Sequence, residues 1–129
     1  MKRKKSVSET YGKHLIIDAY GIEASKLKNY KSIKRLLNFL PGYMGMNVLR
    51  RAALHKVQSP GYPEWGLSGF VMLLESHISC HTWPEEGYVS MDVYSCKDFD
   101  HPRVLSYLKD YWGTRKMKLK VVKRDNFLR

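Results

Sequence analysis

Cysteine is scarce in this sequence, and long apolar runs are missing. Cys80 and Cys96 are the only two cysteines in 129 residues, which argues against a small fold held together by several disulfides. No apolar run approaches the roughly 20 residues that a membrane-spanning helix requires. The basic residues after Met1 run into polar residues and not into the apolar segment of a secretion signal. We therefore expect a cytoplasmic protein that does not interact with membranes.

Acidic residues are also few. The chain has 12 Asp and Glu against 23 Lys and Arg, which gives a formal net charge of +11. Such an excess is typical of proteins that bind polyanions. Here the positive charges are spread along the chain and no DNA- or RNA-binding motif accompanies them. The pattern indicates a solvated basic surface, and we expect no nucleic-acid partner.

The composition that remains is that of one globular domain. Hydrophobic residues make up 43% of the chain, and a chain of this length can bury one core. Residues 1–11 are predicted to form a basic N-terminal arm, and residues 12–129 a single domain.

Periodicity predicts six strands and two helices. The strands are expected at residues 13–20, 46–57, 69–74, 78–83, 88–96 and 117–121. The first helix is predicted to be capped by Ser25 and to end at Pro41-Gly42. The second is predicted to begin at Asp100 or His101 and to close at Gly113. The order β-α-β-β-β-β-α-β indicates an α+β fold, a two-layer sandwich of a mainly antiparallel sheet with helices on one face.

The fourth predicted strand has one apolar and one polar face. His77, Ser79 and His81 share a face, opposite Ile78 and Cys80. The fifth strand alternates in the same way. Two neighbouring strands with a polar face each would place a functional site on the side of the sheet that the helices leave open.

A loop rich in Pro and Gly, residues 58–63, precedes the third strand. It is followed closely by Trp65 and contains Tyr62. These aromatic rings can either pack over the core or stack on a flat ligand. Their spacing leaves both interpretations open.

The most polar stretch of the central region, Glu75 to Glu85, directly follows the apolar run Phe70 to Leu74. Three interpretations apply to it. One is a zinc site, but on a strand Cys80 points away from both neighbouring histidines and the paired close spacings of zinc sites are missing. A second is a core strand whose polar groups have partners. The third is covalent chemistry at Ser76.

A serine hydrolase is a weak form of the third interpretation. It would need a G-x-S-x-G turn and an acid to orient the histidine, and Gly66-Leu67-Ser68-Gly69 does not have that spacing.

Four segments together resemble the bacterial and archaeal S-adenosylmethionine decarboxylase proenzyme family. They are Gly12–Gly21, Gly66–Gly69, Glu75–Glu85 with its E-S-H-I-S-x-H-T-W-P-E core, and Asp92–Cys96. The resemblance covers nearly the whole chain from residue 11. It implies that the Ser76 hydroxyl attacks the carbonyl of Glu75 and that the chain is then cleaved between them. The products would be a β chain, residues 1–75, and an α chain, residues 76–129, which begins with a pyruvoyl group derived from Ser76.

A pyruvoyl cofactor suits the chemistry. Decarboxylation of an amino acid needs an electron sink that no ordinary side chain provides. A ketone next to an amide carbonyl can form a Schiff base with the substrate amine and act as that sink. The sequence has no glycine-rich phosphate loop, which fits a cofactor made from the chain and not a bound phosphate cofactor.

The resemblance also implies roles for five further residues. His81 and Ser68 would assist the cleavage, and Cys96 would protonate the decarboxylated carbon. Glu85 would accept hydrogen bonds from the ribose hydroxyls, and Tyr62 would lie against the adenine. The family further implies a homodimer of processed protomers with sites near its two-fold interface and a role in spermidine biosynthesis. From the residue pattern we expect no metal.

Some positions depart from the family pattern and leave alternatives. Cys96 is followed by Lys97 where family members often have glycine, and Cys80 replaces an apolar residue. Relatives with the same cofactor resemble arginine or ornithine decarboxylases, and Glu85 could bind a guanidinium or ammonium group as well as a ribose. A nonprocessing binding or regulatory relative is a third possibility, against which the presence of Ser76, His81 and Cys96 argues.

Overall fold

The computed structural model describes residues 10–125, so most of the predicted basic arm lies outside the described residues. The first strand already begins at Thr10. The prediction that Thr10 and Tyr11 belong to a loose arm is therefore wrong. The strand starts earlier because the backbone of Thr10 pairs with that of Asp125 in the last strand, with a bulge between Thr10 and Gly12. Within residues 10–125 no helix is both long and apolar enough to cross a membrane.

The described chain forms six strands, three α-helices and one short 3-10 helix. In chain order these are β1 Thr10–Ala19, α1 Ala24–Leu27, α2 Tyr30–Tyr43, β2 Val48–Val57, β3 Gly66–Leu73, β4 Ser76–Trp83, the 3-10 helix Pro84–Glu86, β5 Tyr88–Ser95, α3 His101–Trp112 and β6 Met117–Asp125.

The six strands form one sheet with the order β2-β3-β4-β5-β1-β6, and all neighbouring strands are antiparallel. Apolar residues of α2 and α3 belong to the same buried cluster as every second residue of the central strands. The helices therefore cover one face. The other, called the open face below, carries Ser68, His77, His81 and Asp92. The predicted α+β architecture is confirmed.

The predicted first helix is in fact two helices. Its assumed cap, Ser25, lies inside the short α1, and α2 begins after Asn29, whose side chain accepts a hydrogen bond from the backbone N–H of Ser32 at 3.0 Å. Asn29 is the better cap because its side chain satisfies an N–H group that the first helical turn leaves free. The predicted end at Pro41-Gly42 is also wrong, since α2 continues to Tyr43.

The predicted ends of the second long helix are confirmed in α3. The side chain of Asp100 accepts a hydrogen bond from the backbone N–H of Arg103 at 3.1 Å, and Pro102 stands in the first turn. Gly113 ends the helix with φ 68°, a backbone conformation that glycine adopts without strain. The segment that follows β5 therefore ends at Asp100, the residue that caps α3.

Candidate functional site

A tight turn between β3 and β4 carries the predicted cleavage position. Leu73 pairs with Ser76, so only Leu74 and Glu75 connect the two strands. Glu75 has φ 68°, and among the described residues it is the only one other than glycine with a positive φ. This conformation costs a residue with a side chain on the order of 1 kcal/mol. The strained residue directly precedes Ser76.

Ser76 lies at the start of β4, opposite Ser95 of β5, and is only 7% exposed. The backbone N–H of Cys96 points at the Ser76 Oγ with an N–O distance of 3.4 Å. The Cys96 thiol donates to the Glu75 carboxylate, with Sγ 3.2 Å from Oε1. Glu75, Ser76 and Cys96 thus form one group, called the Ser76 cluster below.

The environment of Cys96 keeps its thiol protonated. Burial raises the pKa of Cys96, and the hydrogen bond to the Glu75 carboxylate and the charge of that carboxylate raise it further. The raised pKa favours the protonated thiol over the thiolate at neutral pH. Cys80 faces the core and is fully buried, and burial raises its pKa to about 12. Thiol chemistry at an accessible position is therefore restricted to Cys96.

A second group of predicted site residues lies on the open face. Ser68 of β3 and His81 of β4 are direct neighbours in the register, and the His81 Nδ1 is 2.9 Å from the Ser68 Oγ. A cavity beside them is also lined by Tyr62 and Glu85. These four residues, Ser68, His81, Tyr62 and Glu85, are called the His81 cluster below.

Two members of the His81 cluster, Glu85 and Tyr62, lie outside the strands, in the segments that flank β4 and β3. Glu85 lies in the 3-10 helix that directly follows β4, and its side chain is exposed. Tyr62 lies in the loop between β2 and β3, where the Gln58 side-chain amide donates to the carbonyl oxygens of Tyr62 and Pro63 at 3.2 and 3.0 Å. Trp65 is partly buried and packs against the core. Of the two loop aromatics, Tyr62 is thus the one that faces the cavity.

Within one chain the structure keeps the two clusters apart. Ser76 and His81 are five residues apart on β4, which corresponds to about 17 Å at the rise of a strand. Ser76 also belongs to the buried set of β4 residues, whereas His81 lies on the open face. A single chain therefore does not place His81 and Ser68 against Ser76.

The open face between the clusters carries a polar network whose His14 was not among the predicted site residues. His14 of β1 has its Nε2 3.0 Å from Asp92 Oδ1, and Ser79 donates to Asp92 Oδ2 at 3.2 Å. Next to it His77 stacks on Phe70, and burial and the neighbouring His14 lower the pKa of His77. Only the pairing of β1 with β5 brings His14 here, and no local pattern in the sequence indicates that pairing.

The zinc interpretation has no ligand set in the described part of the chain. Among residues 10–125 there is no group of three or more His, Cys, Asp or Glu side chains that could hold a metal ion. Cys80 points into the core, on the face opposite His77 and His81.

Comparison with known proteins gives one consistent result. Residues 13–125 match the family model described as S-adenosylmethionine decarboxylase. An S-adenosylmethionine decarboxylase proenzyme from Clostridium botulinum is 33% identical over 114 residues, which cover 88% of this chain and 93% of the relative. A proenzyme of the same name from Persephonella marina is 39% identical over 90 residues, 70% of this chain and 63% of the relative. The crystal structure of the adenosylmethionine decarboxylase from Aquifex aeolicus matches with a TM-score of 0.70 and 31% identity over 90% of this chain and 92% of that one. The chain therefore belongs to the S-adenosylmethionine decarboxylase family.

Proposed function

We propose that this protein is a self-processing, pyruvoyl-dependent S-adenosylmethionine decarboxylase. It releases CO2 and forms decarboxylated S-adenosylmethionine for spermidine biosynthesis, in the cytoplasm. Family membership supports the carboxy-lyase activity. The observation that carries the self-processing is the Ser76 cluster, in which Cys96, the residue that follows β5, contacts both the Ser76 hydroxyl and the strained Glu75 at the β3–β4 turn.

The turn suits cleavage between Glu75 and Ser76. Attack of the Ser76 Oγ on the Glu75 carbonyl carbon breaks the C–N bond and forms an ester, while the hydroxyl proton passes to the released amine. Elimination then removes the Cα proton of residue 76 and breaks its Cβ–Oγ bond, which frees Glu75 with a new C-terminal carboxylate. Water then hydrolyses the dehydrated residue 76, which releases ammonia and leaves the pyruvoyl group. Cleavage also frees Glu75 from its positive φ, so the strain stored in the turn favours the reaction.

The residues around position 76 fit the cofactor that would form there. The position is almost fully buried, which limits the access of water to a reactive carbonyl. When present, the pyruvoyl group supplies the electron sink for decarboxylation. The Cys96 thiol, which the Glu75 carboxylate keeps protonated in the uncleaved chain, would be the group that delivers a proton at this position as a general acid.

The His81 cluster would act on the Ser76 cluster of a second chain. Two protomers could form a homodimer in which the open faces of their sheets pack together. A two-fold axis that lies between the two sheets, perpendicular to the strands, would then place the start of one β4 over the end of the other. The end of each β4 that carries Ser76 and its turn would then lie opposite the His81 of the partner, and both sites form at once because the interface is symmetric. The open face of β3 presents Phe70 and Met72 with exposures of 43% and 46%, and Leu74 in the turn that follows is 58% exposed. A facing sheet would remove this apolar surface from water.

Mixed dimers test this arrangement. A Ser76→Ala chain and a His81→Ala chain, each with its own affinity tag, are produced together and the mixed dimer is isolated. We expect cleavage of the His81→Ala chain only, because its Ser76 meets an intact His81 of the partner. One competent site in two should give roughly half of the wild-type turnover per dimer.

The matched control pairs a wild-type chain with a chain that carries both substitutions. Neither composite site is complete in that dimer, so the wild-type chain should stay uncleaved or be cleaved slowly. Normal cleavage of the wild-type chain there, or no cleavage in the first pair, would show that each chain processes itself.

Glu85 provides a test of substrate identity. Replacing Glu85 with glutamine is expected to raise the KM for S-adenosylmethionine roughly tenfold, because a hydrogen bond to a charged group contributes about 1.5–3 kcal/mol. Chain cleavage should be unchanged. Glu86→Gln is the matched control, since Glu86 is its exposed neighbour and does not line the cavity beside His81. An unchanged KM in Glu85→Gln would remove Glu85 from substrate binding.

The proposed function as a whole is tested by intact mass and CO2 release. Purified protein should contain two chains split after Glu75, with the α chain blocked at its N-terminus by the pyruvoyl group. CO2 should be released from S-adenosylmethionine and not from arginine or ornithine. A single unsplit chain without CO2 release would contradict the proposal and favour a binding or regulatory role.

A further inference from the structure

Lys13 is the only buried lysine in the described part of the chain. Its Nζ donates to the backbone oxygen of Phe99 at 2.6 Å, and it lies 3.0 Å from both Asp98 Oδ1 and His101 Nδ1. A lysine ammonium has three N–H groups and no acceptor, so the His101 Nδ1 must accept here. All three N–H groups have partners, which is what a buried charge requires.

The partners of Lys13 all belong to residues 98–101, which lead from the short segment after Cys96 to the first residue of α3. Asp98 is otherwise almost wholly exposed, with 93% of its side-chain surface accessible, and the ammonium lowers the pKa of its carboxyl group. The Nζ also lies 4.6 Å from the centre of the Phe99 ring. A lysine of β1 therefore holds the segment that immediately follows Cys96.

The backbone of Gly12 packs against the backbone of Ser95 and Cys96. Its φ is 147°, and a Cβ at this position would lie 2.5 Å from the Ser95 carbonyl oxygen and 3.0 Å from the Cys96 Cα. No side chain fits between the two backbones. The backbone of β1 thus lies directly against the residue that carries the thiol, and Gly12 and Lys13 together form what we call the β1 clamp.

We propose that the β1 clamp is a positioning element that sets the Cys96 thiol against the Glu75 carboxylate. The proposal rests on the proposed role of Cys96 as proton donor. The clamp touches neither Ser76 nor the His81 cluster in the described contacts, so its task concerns the proton-donating step and not chain cleavage. Loosening it should let the thiol move away from Glu75 while the chain still processes.

The thiol itself reports on the clamp. In an uncleaved Ser76→Ala background, the rate at which iodoacetamide alkylates Cys96 is measured against pH, with the modified residue located by mass. Lys13→Met should move the alkylation midpoint to lower pH, because separation from the carboxylate lowers the pKa of the thiol. A shift of about one pH unit corresponds to a roughly tenfold faster reaction below the midpoint. Lys13→Arg should restore most of the wild-type profile, and Lys97→Met is the matched control with an exposed lysine in the same segment.

The second measurement uses the processed enzyme. Lys13→Met should be cleaved normally but show a kcat lower by roughly tenfold and a KM within twofold of wild type, the pattern of an interaction lost in the reacting state. The alkylation profile does not depend on decarboxylation, so it tests the clamp even where the wild type releases no CO2. A folded Lys13→Met with the wild-type profile and kcat would overturn the proposal.

Should Lys13→Met fail to fold, Asp98→Ala decides the question. It removes one partner at an exposed position and leaves two for the ammonium. A smaller midpoint shift in the same direction is expected, and an unchanged profile would overturn the proposal.

Discussion

Replacing Ser76 with alanine is expected to leave one intact chain of 129 residues that releases no CO2 from S-adenosylmethionine. Alanine has no Oγ to attack the Glu75 carbonyl, so neither the ester nor the pyruvoyl group can form. The loss of activity should be complete, since no other residue provides an equivalent electron sink. Intact mass spectrometry and a CO2-release assay on the same preparation measure both effects.

Ser79→Ala is the matched control for Ser76→Ala. Ser79 lies on the same strand but faces the open side, where it donates to Asp92, and its replacement should leave the chain cleaved after Glu75. Two chains in Ser76→Ala would place the cleavage elsewhere. An unsplit Ser76→Ala chain that still releases CO2 would separate the activity from the pyruvoyl group.

The elements that the sequence predicted correctly have strong local signals. β5 alternates half-buried and buried residues along its whole length, and α3 has a cap, a proline in its first turn and a closing glycine. The start of α2 was predicted wrongly because Ser25 and Asn29 are both good caps, and only the structure shows which side chain meets a free N–H group. The position of β1 between β5 and β6 depends on contacts far apart in sequence, for which no local pattern exists.

The site was predictable as a set of residues but not as an arrangement. The motif from Glu75 to Glu85 predicted Ser76, His81 and Glu85 as site residues. Because they are close in sequence, they were expected to lie in one site. On an extended strand, however, five residues span about 17 Å, so the same motif contributes to two places. Lys13 was not nominated at all, because its partners lie more than 80 residues away in sequence.

Replacing Cys96 with alanine is expected to preserve chain cleavage and to lower turnover by roughly 10²–10⁴-fold, the usual contribution of a general acid. Cleavage should continue because Ser76 supplies the attacking hydroxyl and Glu75 the strained carbonyl. The substrate would still lose CO2, but the carbon left behind would lack its positioned proton donor. Intact mass measures the cleavage, and steady-state CO2 release and analysis of the product measure the rest.

The pH dependence of the wild type separates a proton donor from a nucleophile at this position. Burial and the Glu75 carboxylate raise the pKa of Cys96, so the protonated donor persists at neutral pH and is lost only as the pH rises through that raised value. A donor thus predicts activity that falls on the alkaline side, whereas a thiolate nucleophile would gain activity there. Cys80→Ala is the matched control and should keep both turnover and pH profile, since that thiol is buried in the core. Cys96→Ala with wild-type turnover and product, or wild-type activity that rises through the alkaline range, would assign the proton to another group.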